Sequence, residues 1–330
     1  MGAPDATALD HYMDPLAGLL APPDVTELCL NRPGELWIEG DSGWRRVTAG
    51  WATYAWAVHF SKLLAAASQQ RLSSQHPLLS ASMPSGERVQ IVAPPATLPG
   101  TVALSIRKNA CSERSLGSLI GSGFVQGCTA AGTTGPGNAK LLAAYEARRW
   151  GEFLLEAVRS RQNILVSGPT GAGKTTLTRA LVAEVDPVER LVTIEDAPEL
   201  SLRAGTNAVR LFYSKDDQGV SRLTPKHLLE ACLRLRPERI LLAELRGAEA
   251  YQFLRAVNSG HPGSITSIHA SSCQLAFEQL ALLVKESEAG RDMPRADIHA
   301  LLRQVVDVVV HCDRTEGRRH IREIWWRHAP

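Results

Sequence analysis

The stretch "GPTGAGKTT", residues 168–176, limits what this chain can fold into more than any other. An apolar run, "NILVSG", leads into it, and a helix-forming run, "TTLTRALVAEV", leads out. Gly168, Gly173, Lys174 and Thr175 fill the fixed positions of GxxxxGK[ST], and the flanking strand and helix supply the context that pattern requires. Glycines let the loop from Gly168 through Pro169, Thr170, Gly171 and Ala172 to Gly173 wind around phosphate oxygens with its N–H groups turned inward. The helix that follows adds the positive end of its dipole. Lys174 then reaches the β- and γ-phosphates, the Thr175 hydroxyl meets Mg²⁺, and Thr176 completes the motif. ATP and Mg²⁺ are the expected ligands.

Around this loop, "RLVTIED", "ERILLAEL", "GSITSIHA" and "VVDVVVHC" read as further apolar strands separated by helices. That alternation predicts an α/β domain over residues 141–330, with a mostly parallel sheet covered on both faces. A helix from "LLAAYEARRWGEFLLEAVRSR" opens it. Upstream, "VTELCL", "ELWIE" and "WRRVT" are short strands divided by the turn signals "NRPG" and "GDSG". A helix over 51–68 follows, then strands in "ERVQIVAP" and "TVALSIRK", which makes residues 1–120 a smaller α+β domain. Residues 121–140 are rich in Gly, Ser and Thr and read as the linker. A chain of 330 residues accommodates two such domains.

Hydrolysis needs a carboxylate near the γ-phosphate, and a buried strand that ends in one is the usual source. "ILLAEL" supplies Glu244, read as the group that orients or deprotonates water; the bland alternative is an acid at a solvated strand end. "TIEDAPEL" adds Glu195, Asp196 and Glu199 after another strand, where ligands of open α/β sheets gather. Asp196 and Glu199 are candidates for holding Mg²⁺ through water or ordering the nucleophile; otherwise the segment is a charged loop with a helix cap at Asp196.

Four segments in order, "GPTGAGKTT", "TIEDAPEL", "LRLRPERILLAELRGAEAY" and "SGHPGSITSIHA", resemble the phosphate loop, acidic box, strand-borne glutamate and histidine box of the secretion (traffic) ATPase superfamily. The N-terminal "TELCLNRPGELWIE", "GERVQIVAPP" and "VALSIRKNA" look like the type IV secretion and conjugation branch. The resemblance implies a RecA-like motor domain, a homo-hexamer, ATP hydrolysis that energises protein or DNA–protein transfer or pilus biogenesis, and inner-membrane machine components as partners. It implies catalytic roles for Glu244, Glu199 and His269, and phosphate contacts from Arg88 and Arg107 of the N-terminal domain. As plain strand residues those two arginines would simply be exposed cations. His269, at the end of its strand, is read as a sensor of the γ-phosphate, and His261, beside Pro262, as a turn residue. The alternatives within reach are a pilus-retraction or type II secretion motor and a P-loop phosphotransferase. The absence of a four-cysteine zinc pattern counts against most of the pilus and type II motors.

Arg234, Arg236, Arg239 and Arg246 surround the Glu244 strand, either as structural ion pairs or as contacts to a neighbour's nucleotide. "RRHIREIWWRHAP" reads as an edge strand, with lipid headgroups or a partner as the other reading. With 36 basic and 34 acidic residues, charge gives no reason to expect tight nucleic-acid binding. Cys29, Cys111, Cys128, Cys232, Cys273 and Cys312 are scattered, as suits reduced thiols in a cytoplasm. No signal peptide or spanning segment is apparent, so the expected place is cytoplasmic, with at most peripheral contact with the inner membrane.

Overall fold

The computed structural model describes residues 4–109, 115–128, 137–214 and 219–330. Cys111 and linker residues 129–136 lie outside the described residues. The N-terminal part runs α1 (Pro4–Leu20), β1 (Glu27–Arg32), β2 (Glu35–Gly40), β3 (Gly43–Thr48), α2 (Tyr54–Ala67), β4 (Leu78–Ser82), β5 (Arg88–Val92) and β6 (Ala103–Arg107). Its six strands form one antiparallel sheet in the order β3-β2-β1-β6-β5-β4. Leu28, Leu30, Ile38, Ile91, Leu104 and Ile106 turn inward from the strands to meet Phe60 and Leu64 of α2 and Leu9, Leu16 and Leu20 of α1. Burying each such side chain contributes about 1.5–3 kcal/mol. The Thr53 hydroxyl caps α2 by accepting from Trp56 N at 3.1 Å.

Two elements of this part escape the sequence reading. Helix α1 carries Pro15 in its interior, which removes a ladder hydrogen bond, yet Leu9, Leu16 and Leu20 share one buried stripe that outweighs the loss. Strand β4 adds to the far edge of the sheet beside β5.

After α3 (Leu116–Gly121), α4 (Gly137–Glu146) begins inside the segment expected to be linker. The helix expected from residue 141 onward is in fact two. It stops at Glu146 and restarts as α5 (Trp150–Arg159), with Arg148 in the left-handed region at φ 52° between them. Then come β7 (Ile164–Ser167), α6 (Lys174–Ala183), β8 (Leu191–Glu195), β9 (Ala208–Phe212), α7 (Pro225–Cys232), β10 (Arg239–Leu242) and α8 (Glu249–Asn258). The chain ends with β11 (Ile265–Ile268), α9 (Cys273–Glu286), α10 (Arg295–Val305), β12 (Val308–Thr315) and β13 (Arg318–Trp326). The sheet order is β13-β12-β7-β11-β10-β8-β9, parallel throughout except for β13, which pairs antiparallel with β12 at the edge.

Every residue of β7, β8, β10 and β11 is buried, as expected of parallel strands covered on both faces, with Thr193, Thr266 and Ser267 enclosed among the apolar residues. Leu165, Val192, Ile240 and Val309 face α7 to α10, while Ile164, Val166, Leu241 and Val310 face α4 to α6. The N-terminal sheet leans on the outer strand β9 and on the turns that enter β8, β9 and β10. Phe212 N donates to Ala96 O at 2.9 Å, Arg32 Nη2 to Thr206 O at 2.7 Å, and Asn31 Nδ2 to Asn207 Oδ1 at 2.9 Å. Arg190, fully buried, donates to Asn31 Oδ1 and Asn207 Oδ1, both at 2.8 Å, and stacks its guanidinium 5.6 Å from the centre of Trp44.

Candidate active site

The phosphate loop leaves β7 at Ser167 and enters α6 at Lys174. Two of its glycines are required by geometry. A Cβ on Gly168 would lie 2.4 Å from Cys312 O on β12, and Gly173 sits at φ 98° as the residue that caps α6. The backbone thereby folds tightly enough to present its N–H groups at the start of a ten-residue helix. Lys174 bends back over the loop, donating to Gly168 O at 2.8 Å and Pro169 O at 3.2 Å. Burial pulls its ammonium below the usual lysine range, opposed chiefly by the nearby Glu244 carboxylate.

The other candidates arrive from three parallel strands at the same edge. Glu244 follows β10, His269 follows β11, and Asp196 and Glu199 follow β8. His269 joins the groups: Nδ1 lies 3.2 Å from Lys174 Nζ and Nε2 lies 2.5 Å from Glu244 Oε1. An ammonium has only donors, so Nδ1 must accept and the proton sits on Nε2, facing the carboxylate as a close polar contact. Glu244 is 15% exposed, so it is no solvated strand end. The Thr175 hydroxyl is exposed, 3.4 Å from Glu199 Oε2.

Arg246 is the member whose place sequence left open. Its Nε donates to Glu244 Oε2 at 2.7 Å and its Nη1 to Asp196 Oδ2 at 3.0 Å, so it spans the ends of β10 and β8. Burial lowers its pKa, but the two carboxylates outweigh burial and the net shift is upward. Glu195, grouped with its acidic neighbours by sequence, separates from them. It is fully buried, accepts Arg210 Nε at 3.0 Å and Nη2 at 2.9 Å, and takes Leu200 N at 2.9 Å, which shapes the loop carrying Asp196 and Glu199. No helix follows Asp196, so it caps none.

The remaining arginines divide. Arg236 pairs with Glu39 of the N-terminal sheet and Arg239 with Glu189 at 2.7 Å, both structural contacts. Arg88 and Arg107 stand opposite each other in the β5–β6 register and, with Arg234 and Arg236, line a cleft of about 530 Å³. The side chains of Arg88 and Arg107 make no hydrogen bond or ion pair with any described residue, the phosphate loop of their own chain included. His261 Nδ1 donates to Pro237 O at 2.9 Å, beside its turn, and burial lowers its pKa. The described residues contain no cluster of three or more His, Cys, Asp and Glu placed to hold a metal. "HIREIWW" lies in the edge strand β13, and Trp326 is buried among Tyr145 and Phe153.

Sequence reasoning did not reach Arg319. It lies 148 positions beyond Gly171, yet its Nε donates to Gly171 O at 3.1 Å.

Comparison with known proteins agrees with this geometry. The family described as type II/IV secretion system protein matches residues 140–325. The type IV secretion system protein VirB11 of Bartonella quintana is 41% identical over 326 residues, covering 95% of this chain and 91% of its own length. The type IV secretion system protein PtlH of Bordetella pertussis is 41% identical over 333 residues, covering 98% and 97%. The crystal structure of the VirB11 ATPase from the Brucella suis type IV secretion system, in complex with sulphate, superposes with a TM-score of 0.92 at 42% identity over 98% of this chain and 95% of that one. Such coverage includes the N-terminal sheet as well as the phosphate-loop half, and with it the chain belongs to the type II/IV secretion ATPase family, in its VirB11-like type IV branch.

Proposed function

We propose that this ATPase works as a homo-hexameric motor that hydrolyses ATP to drive transfer or pilus biogenesis by a type IV secretion machine. The observation that carries the reading is His269, which links the phosphate-loop Lys174 to Glu244 in one chain. Lys174 binds the β- and γ-phosphates, and leaves the loop carbonyls and His269 as it does so. His269 then turns toward the terminal phosphate, which frees Glu244 Oε1 to take a proton from the attacking water. Arg246 keeps the other oxygen of that carboxylate fixed.

The exposed Thr175 hydroxyl beside the Glu199 carboxylate is an oxygen pair suited to Mg²⁺ and its waters. Bound there with the nucleotide, the ion supplies neutralisation of charge on the transferred phosphoryl group. Asp196, tied to Arg246, is the second carboxylate of that loop and a candidate partner for the waters of the ion. Arg88 and Arg107, whose side chains make no hydrogen bond or ion pair with any described residue, serve the nucleotide across a subunit boundary, where a guanidinium stabilises transition-state charge. A peripheral place at the inner membrane, beside partner components of the machine, goes with the type IV secretion reading; no helix among the described residues is long and apolar enough to cross a membrane.

Turnover of ATP with Mg²⁺ tests the reading. Lys174→Ala should abolish nucleotide binding and turnover together, whereas Glu244→Gln should cost about 10²–10⁴-fold in turnover and spare binding. Wild-type turnover in both variants would remove the assignment.

A further inference from the structure

The C-terminal hairpin grips the phosphate loop from two directions. Strand β12 lies behind it, with Cys312 O so close to Gly168 that only glycine fits. Strand β13 reaches its outer face, where the Arg319 side chain runs alongside Gly173; a Cβ there would meet Arg319 Cδ at 3.2 Å. Arg319 Nε ends on Gly171 O, and its two terminal nitrogens make no hydrogen bond with any described residue. The side chain is exposed.

Sheet order gives this placement a direction. Glu244, His269 and the acidic loop follow β10, β11 and β8, all on one side of β7, whereas β12 and β13 lie on the other. The reacting phosphate belongs with Lys174, His269 and Glu244 on the first side. A nucleotide laid along the loop therefore carries its nucleoside end toward β12 and β13, where Arg319 stands. A guanidinium there offers a flat face to an aromatic base and free N–H donors to ribose or α-phosphate oxygens, while its Nε stays on the loop.

We propose that Arg319 is a nucleotide-binding residue that contacts the nucleoside end of the ligand, so the β12–β13 hairpin forms a wall of the site. The proposal rests on the phosphate-loop reading above and adds the residue that distinguishes a nucleotide from a bare polyphosphate.

The test measures binding of ADP and of inorganic tripolyphosphate to the full chain by calorimetry. Arg319→Ala should raise the Kd for ADP about tenfold and leave tripolyphosphate within about twofold of wild type. Arg319→Lys, which keeps a donor for Gly171 O but has no planar face, should bind tripolyphosphate normally and ADP at an intermediate strength. If Arg319 only braces the loop, both ligands weaken together in Arg319→Ala and both recover in Arg319→Lys, which overturns the proposal. Unchanged ADP binding in Arg319→Ala overturns it as well. Failure of the wild type to bind either ligand would instead overturn the phosphate-loop reading itself.

Discussion

The two ends of the parallel sheet use arginine in opposite ways. At the amino ends of β8 and β10, Arg190 and Arg239 are 0% and 1% exposed. Arg239 is held by Glu189 at two points and by Val158 O, and Arg190 by Leu235 O, Asn31 and Asn207. At the carboxyl ends, the side chain of Arg246 is 45% exposed and Arg319 lies on the surface with donors to spare. A fully enclosed guanidinium fixes one arrangement, because moving it would strand a charge in the interior. One that is itself half-exposed and shared between two carboxylates can exchange partners when a phosphate arrives. Rigidity at the end that meets the N-terminal sheet and exchangeable pairing at the end that carries the phosphate loop are what a motor needs from one sheet.

Substitutions at both ends can break or sharpen that contrast. The largest change is expected at Arg239. Replacement with Ala leaves Glu189, 14% exposed, short of its main partner and should destabilise the fold by about 3–5 kcal/mol, measured as a shift in the denaturant midpoint. A loss below 1 kcal/mol would mean that the amino end is not the rigid one. A smaller effect, of another kind, belongs to His269→Ala. Turnover should fall about tenfold, near 1.4 kcal/mol in barrier, with ATP binding altered less and the thermal midpoint retained. Should stability fall instead, the carboxyl end would be as structural as the other. Smallest of all is Arg88→Ala, which loses no partner among the described residues and should shift stability by less than about 0.5 kcal/mol.

How much of this could be read from sequence depended on distance along the chain. Lys174 and Thr175 were legible from GxxxxGK[ST] between a strand and a helix, and Glu244 and His269 because each follows an apolar run whose strand end parallel neighbours bring together. The α4–α5 break was not, since alanine, leucine and glutamate favour helix on both sides and only the turn at Arg148 interrupts them. Strand β9, with buried residues alternating over five positions, carries too short a signal to stand out. Helix α1 was hidden by Pro15. Whether Arg246 faces a neighbour or its own Glu244 turns on a side-chain rotamer, which no spacing rule encodes. Arg319 depends on β13 pairing with β12 and on β12 with β7, a chain of contacts invisible from "RRHIREIWW" itself.

The hairpin behind the phosphate loop has a consequence for how the protein is made. A ribosome that has finished residues 168–176 has written the whole motif, but Cys312 and Arg319, on which the loop leans, are still well over a hundred codons away. Until β12 and β13 are released and slot in beside β7, the nascent loop has one flank open to solvent. The phosphate loop thus gains its second flank only long after its own residues are made, and a nascent chain that stops short of β12 and β13 lacks it.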